Sequence, residues 1–478
     1  MKNPESLSTA AFGDRHNWGD QGNGTYRNPI LDADYPDVDI EEHDGVYTVI
    51  ASSMHYAPGI TLVQSRDLGN WELVGHVFDR LTWHPRYQWD RMAGYRWGVW
   101  AGDLACHDGM WYCYFIDFQH GLYVSTAENV RGPWSGPQCL LQCRHWTDPA
   151  VFWDEEQHQA YLICNTGRDP EPEAPAGNRI RLFRMSWDGL RLEDDGIPIY
   201  TGTGAEAAKI YRIDGTYYIF LAEWIGQDRK QLVLRSPSLY GPFERKVVME
   251  AGGGVQRSCC QGALVRAPDG NWWFSHQLVQ DREKRPDGTM GGATGKSYGG
   301  RPQHLVPVHW EDGWPIPGID ATGNGIGNTV LQARKPIRGF GPKTPRTDDD
   351  FDTPELAPQW QWNHNPRDSH WSLTERPGWL RLRAGIPVND GGFWNAANTL
   401  SQRLMGRGHG VAAARFDIAG AAPGQRAGFC HHSGQYVLLG IRVDESGARH
   451  LEMDHNGHVT PGPAVDAEIL YVRTLVDG

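Results

Sequence analysis

The sequence predicts an all-β chain, a five-bladed β-propeller followed by a jelly-roll-like β-sandwich. Three observations carry this. The 478 residues include 58 Gly and 31 Pro, too many for a mainly helical protein and suited to short strands joined by turns. A four-strand grammar repeats five times before about residue 320. Beyond residue 350 short strands continue without that repeat.

Residues 1–24 read as an N-terminal extension. Its start, MKNPESLSTAAFGD, lacks the apolar core of a signal peptide. A cytoplasmic protein is therefore expected, unless the chain was trimmed at its start. Residues 25–328 form the propeller. Asp-Gly turns mark its units at Asp44-Gly45, Asp108-Gly109, Asp214-Gly215 and Asp269-Gly270. The middle interval is twice the others, and a degraded turn at Asp154–Gln157 fills it. An aromatic-rich strand follows each turn, as in VYTVIASS, MWYCYFID, QAYLICN, TYYIFLAEW and NWWFSHQL. A third strand and a fourth segment complete each unit. A sandwich with accidental similarity is the alternative, and five ordered units disfavour it. Residues 329–350 are rich in Pro, Gly and charge and read as a linker. Residues 351–478 read as the sandwich; they stop at an apparent hairpin turn, so further strands are expected.

With 45 Lys+Arg against 58 Asp+Glu the net charge is −13, which argues against a nucleic acid partner. No apolar run approaches the ~18–20 residues that span a bilayer, so no membrane partner is expected. The 21 Trp and 18 Tyr suit a buried core or a sugar-binding cleft, where a flat ring matches a pyranose face. The eight cysteines fit no zinc spacing and read as reduced thiols. Cys139, Cys143 and His145 are the one metal grouping considered.

In a propeller the first strand of each blade lines the central channel. Counting back from each turn places Asp37, Asp103, Asp148, Glu206 and Gln261 at one mouth. Any one acid could simply cap a strand. Four together repel, which raises at least one pKa and does nothing for stability. A protonated acid facing a carboxylate is the equipment of glycoside hydrolysis; a calcium site is the rival. Trp100 and the loop His55-Tyr56 are candidate walls of a sugar pocket.

At these residues the sequence resembles family 43 of the glycoside hydrolases, five-bladed propeller enzymes. RNPILDADYPDVDIEEHDGVYTVIASS resembles the opening blade and implies Asp37 as general base. TDPAVFWDEEQHQAYLI implies Asp148 as the residue that orients and tunes the acid. AEAAKIYRIDGTYYIF implies Glu206 as general acid. SYGGRPQHLVPVHW implies Arg301 beside them, bonded to a sugar hydroxyl or to Asp148. The region after residue 350 is similar to the sandwich of the xylosidase and arabinofuranosidase branch. The resemblance implies inverting, exo-acting release of xylose or arabinofuranose from plant-type oligosaccharides, with Asp148 ionised throughout. Galactosidase or galactofuranosidase specificity, a glycan-binding propeller without catalysis and a structural propeller are the alternatives. Three places depart from the family pattern. Gly102 stands where Pro is usual, Ala207-Ala208 where Gly-Pro is usual, and Cys260 where a His often helps to hold an axial metal ion. No cofactor is therefore expected to be required, and axial calcium is weakened by Cys260.

Overall fold

A two-residue hairpin of type I′ needs positive φ at both corners, which Asp-Gly supplies. Asp44 and Gly45 have φ of 51° and 71°, and Asp108-Gly109 and Asp214-Gly215 repeat the pattern. At Asp269-Gly270 only the glycine is positive, at 85°, and the Asp269 carboxylate accepts the Asn271 N–H at 3.0 Å. The computed structural model describes residues 18–167, 177–226, 228–251, 256–280, 300–406 and 409–477. In it the turns join the inner two strands of successive antiparallel sheets. Blade one comprises Asp39–His43, Val46–Ala51, Gly59–Ser65 and Glu72–Phe78. Blade two comprises Val99–His107, Met110–Asp117, Gly121–Ala127 and Gln138–Leu141. Blade three comprises Thr147–Asp154, Gln159–Asn165, Asn178–Met185 and Ile197–Gly202. Blade four comprises Glu206–Ile213, Thr216–Ile225, Asp228–Ser236 and Glu244–Glu250. Blade five comprises Gly262–Arg266, Trp272–Gln277, Gln303–Glu311 and Trp314–Pro317. Among the described residues no helix is long and apolar enough to cross a membrane.

The aromatic second strands are buried on both faces because blades stack face to face. Every residue of Trp111–Asp117, for example, is buried. Five apolar layers result, one between each neighbouring pair. Tyr47 and Val49 meet Val265 and Trp273 between blades one and five. Leu62 meets Phe115, Val124 meets Leu162, Ile163 meets Ile219, and Phe220 meets Phe274 in the other four. Each such side chain stabilises by roughly 1.5–3 kcal/mol on burial, so the layers hold the ring closed.

Thr25–Arg27 pairs with Gly19–Asp20 and with Gln332–Arg334, and Leu31 bridges to Gln303 of blade five. The Lys335 ammonium is buried between Asp20 and Asp67, 2.7 Å from the latter. Parts of the segments read as extension and linker are thus strapped to the propeller. The start of the extension, residues 1–17, and residues 297–299 of the Arg301 motif lie outside the described residues.

In the C-terminal region Arg426–His432, Tyr436–Val443, Arg449–His455 and His458–Ala464 form one antiparallel sheet, and His409–Asp417 pairs with Ile469–Asp477. The strand His458–Ala464 is not evident in the sequence, since Pro461 and Pro463 remove ladder donors; its place at the sheet edge tolerates them. This sandwich docks on the propeller through Trp362–Asn363, which pairs with Tyr56–Ala57. Arg403 Nε also donates to Asp34 O at 2.6 Å, and the Gly406 N–H to Asp32 O at 2.8 Å. It therefore abuts the loop that leads into Asp37.

Candidate active site

The heads of the innermost strands are not regular. Asp37, Asp148, Ala207 and Gln261 have φ of 57°, 54°, 56° and 67°. Pairing slips by one residue between Thr147 and Ala150, between Glu206 and Lys209, and between Val99 and Gly102. Such a bulge takes a side chain out of the strand's alternation and re-aims it. A non-glycine residue in this region costs on the order of 1–3 kcal/mol and persists where its surroundings hold it. Its recurrence at one level of four blades marks that level as functional.

The charges of Glu206 and Asp37 both act on Asp148 there. Asp37 is buried; its Oδ1 accepts from Arg301 Nη1 at 2.5 Å and its Oδ2 from Ser52 Oγ at 2.8 Å. The Arg301 side chain thus pairs with Asp37, in place of the Asp148 contact expected. Glu206, a quarter exposed, accepts from Arg229 Nη2. Asp148 Oδ1 accepts from Gln261 Nε2 at 3.0 Å, while its buried Oδ2 has no partner among the described residues. Burial, and then the Glu206 and Asp37 charges, push the Asp148 carboxyl up to about 7. Burial and its two acidic neighbours thus hold the Asp148 carboxyl toward its protonated form.

Blade five supplies amides instead of an acid. The Asp37 N–H donates to Gln277 Oε1 at 3.1 Å, Gln277 Nε2 donates to Gln261 Oε1 at 2.8 Å, and Gln261 donates to Asp148. This relay ties the Asp37 backbone to the Asp148 carboxyl. Gln277 and Arg229 are invisible to sequence reasoning, since neither stands at the head of a first strand.

Asp103 does not join this group. It lies one level down, where Asp39 Oδ1 and Asp103 Oδ1 flank Lys209 Nζ at 2.7 and 3.0 Å. Asp39 Oδ2 accepts the Leu104 N–H at 2.8 Å and Asp103 Oδ2 the Val151 N–H at 3.0 Å. Blade four sits across the ring from blades one and two, so Lys209 spans the channel axis. Burial pushes the Asp103 carboxyl up to about 7 against the pull of Lys209. Burial also opposes the Lys209 charge, but Asp39 and Asp103 outweigh it and raise its pKa. Bulges cause the misplacement. Asp39, Asp103 and Lys209 each stand five residues before the Asp of their turn, and that equal offset is the signal that groups them.

His55 is not a pocket wall. It is buried beneath the rings of Tyr56, Tyr95 and His364 at 4.3, 4.5 and 4.8 Å, and Tyr56 belongs to the strand that pairs with the sandwich. Trp100 stays half-exposed, stacked on Phe118 at 4.4 Å in a row with Trp97. The departure at Gly102 has a local reason: a Cβ there would lie 2.4 Å from the Tyr114 carbonyl oxygen.

An axial calcium does not fit these residues. Lys209 already occupies the carboxylates that reach the axis, and Cys260 is fully buried against Ala207 and Ala222, a soft sulfur where calcium takes hard oxygen ligands. Among the described residues no three His, Cys, Asp or Glu side chains come together as around a metal ion, the Cys139 grouping included. All eight cysteines are free thiols.

The family profile of glycosyl hydrolases family 43 matches residues 26–315. The chain belongs to this family. The family 43 chain also matches the beta xylosidase C-terminal concanavalin A-like domain over residues 348–471. A beta-xylosidase from Formosa agariphila is 50% identical to it, across 96% of this chain and 81% of that protein. A non-reducing end alpha-L-arabinofuranosidase from Bacteroides ovatus is 30% identical across 76% of this chain and 66% of that protein. The crystal structure of a xylan beta-1,4-xylosidase from Bacillus halodurans superposes with a TM-score of 0.77 at 25% identity, covering 94% of this chain and 87% of that one. The family 43 chain is a glycosidase, built as a five-bladed propeller with a C-terminal β-sandwich.

Proposed function

We propose that this glycosidase removes terminal pentose units, xylose foremost, from plant-type oligosaccharides with inversion at the anomeric carbon. Asp37 is the base. Arg301 and Ser52 fix both of its oxygens, so it is oriented to take a proton from water as that water attacks C1. Glu206 is the acid; it passes its proton to the glycosidic oxygen, which leaves with the electrons of the broken C–O bond. Asp148, whose carboxyl is pushed up by burial and by the Glu206 and Asp37 charges, stands beside the acid and orients it. Trp100 lines the sugar pocket. Xylose rests on the similarity to the Formosa and Bacillus enzymes, and arabinofuranose on that to the Bacteroides one.

The supporting observation is three acids that face, among the described residues, two guanidinium groups around one channel mouth. A panel of aryl glycosides tests the reading: turnover of an aryl β-xyloside or α-L-arabinofuranoside is expected, and its loss in Asp37→Ala. Binding of xylo-oligosaccharides with no turnover of any aryl glycoside would make the chain a glycan-binding propeller instead. Among the described residues Lys209 and Cys260 leave calcium no place on the axis, so this reading routes no step through it.

A further inference from the structure

Glu206 pairs across the ladder with Ala222, and Ala222 with Gln231. Arg229 stands two residues before Gln231 and so projects from the same face of the sheet as Glu206. On the strand between them Ala222 stands opposite Glu206 and Trp224 opposite Arg229, and Arg229 Nη2 reaches Glu206 across that strand. The Arg229 side chain is 11% exposed. Its backbone bridges to Ser258 in the segment that leads to Cys260. Cys260, Ala207 and Ala222 form one small apolar patch, whose short side chains leave space for the guanidinium. Burial opposes the Arg229 charge, yet Glu206, Cys260, Asp148 and Asp37 raise its pKa. A buried cation that stays charged is fixed in place by its partner, and fixes that partner in turn.

We propose that Arg229 is the positioning residue of the proton donor: it holds the Glu206 carboxyl in its working orientation. This rests on the assignment of Glu206 as acid. Among the described residues the charged and titratable groups that interact with Glu206 are Arg229 from its own blade, Asp148 from blade three, which Asp37 of blade one also acts on, and the Cys260 thiol from blade five. Of these, Arg229 alone carries a positive charge. Losing that charge disfavours the ionised donor, so the donor keeps its proton to higher pH.

The test uses leaving groups. A 2,4-dinitrophenyl glycoside needs little help from an acid, whereas a phenyl glycoside needs it fully. Arg229→Met is expected to lose about a hundredfold in kcat/KM on the phenyl substrate and only about threefold on the dinitrophenyl one, and to move the alkaline limb of kcat upward. Arg229→Lys keeps the charge without the planar fork, so its limb stays in place while part of the phenyl activity is lost. Equal losses on both substrates, or an unmoved limb in Arg229→Met, overturn the proposal. Glu206→Ala is run beside them. If it retains dinitrophenyl turnover and loses phenyl turnover, the acid assignment stands, and Arg229 is then judged by its own limb and leaving-group ratio. If it shows no such preference, the assignment fails and the proposal falls with it.

Discussion

Two rings of polar side chains occupy the same channel on the same strands, a few residues apart. In the inner ring all four oxygens of Asp39 and Asp103 are taken, two by Lys209 and two by backbone N–H groups of the next blade. In the outer ring Asp37, Asp148 and Glu206 share two guanidinium groups, and Asp148 Oδ2 is left without a partner among the described residues. Regular strand backbone carries the inner ring, whereas bulges and positive φ carry the outer one. Carboxylates in one channel thus do two jobs. Where partners are complete they lock blades together; where they are incomplete a proton is held available for chemistry. Composition alone does not separate the two, but partner completeness does.

The contrast can be broken at either ring. The largest effect belongs to the outer one. Asp37→Ala and Glu206→Ala are each expected to lower kcat/KM on a phenyl xyloside by about a thousandfold or more, with melting temperature little changed. A retained rate in Asp37→Ala would remove the base from its role. Lys209→Met strikes the inner ring and leaves two buried carboxylates uncompensated, which should destabilise by about 3–5 kcal/mol. Denaturant titration reads this, and the loss should shrink as pH falls and the acids take up protons. An unaffected midpoint would mean that Lys209 locks nothing.

Asp148→Asn separates stability from activity. A buried acid whose pKa is raised from the usual carboxylate range to about 7 binds more protons folded than unfolded. It is harmless at low pH and increasingly destabilising as pH rises through that window. The amide variant should therefore gain about 1–3 kcal/mol over the parent above pH 7, converge with it toward pH 4, and lose turnover. Equal stability at pH 8 would show that the carboxyl is not strained. The smallest effect is expected from a chelator: dialysis against EDTA should leave kcat and melting temperature unchanged. A loss restored by calcium would show that Lys209 does not stand in for a cation.

Much of this is legible in the residues. Asp-Gly turns and the aromatic strands behind them locate all five blades, because hairpin geometry and two-sided burial act on local sequence. Counting from those turns finds Asp37, Asp148 and Glu206. The same count misplaces Asp103, since a bulge of one residue moves a side chain a whole level along the channel. Arg229, Gln277 and the burial of His55 are not legible. Arg229 and Gln277 reach the site from strands with no counting landmark. His55 is covered by His364, more than 300 positions away in the sandwich, through a pairing no repeat announces.

The stereochemistry of the sugar released tests the outer ring most directly. Proton NMR of the first seconds of aryl β-xyloside hydrolysis should show α-xylose appearing first, with the β-anomer growing only by mutarotation. β-Xylose as the initial product would mean a covalent intermediate and two displacements, and would contradict a base that activates water at Asp37.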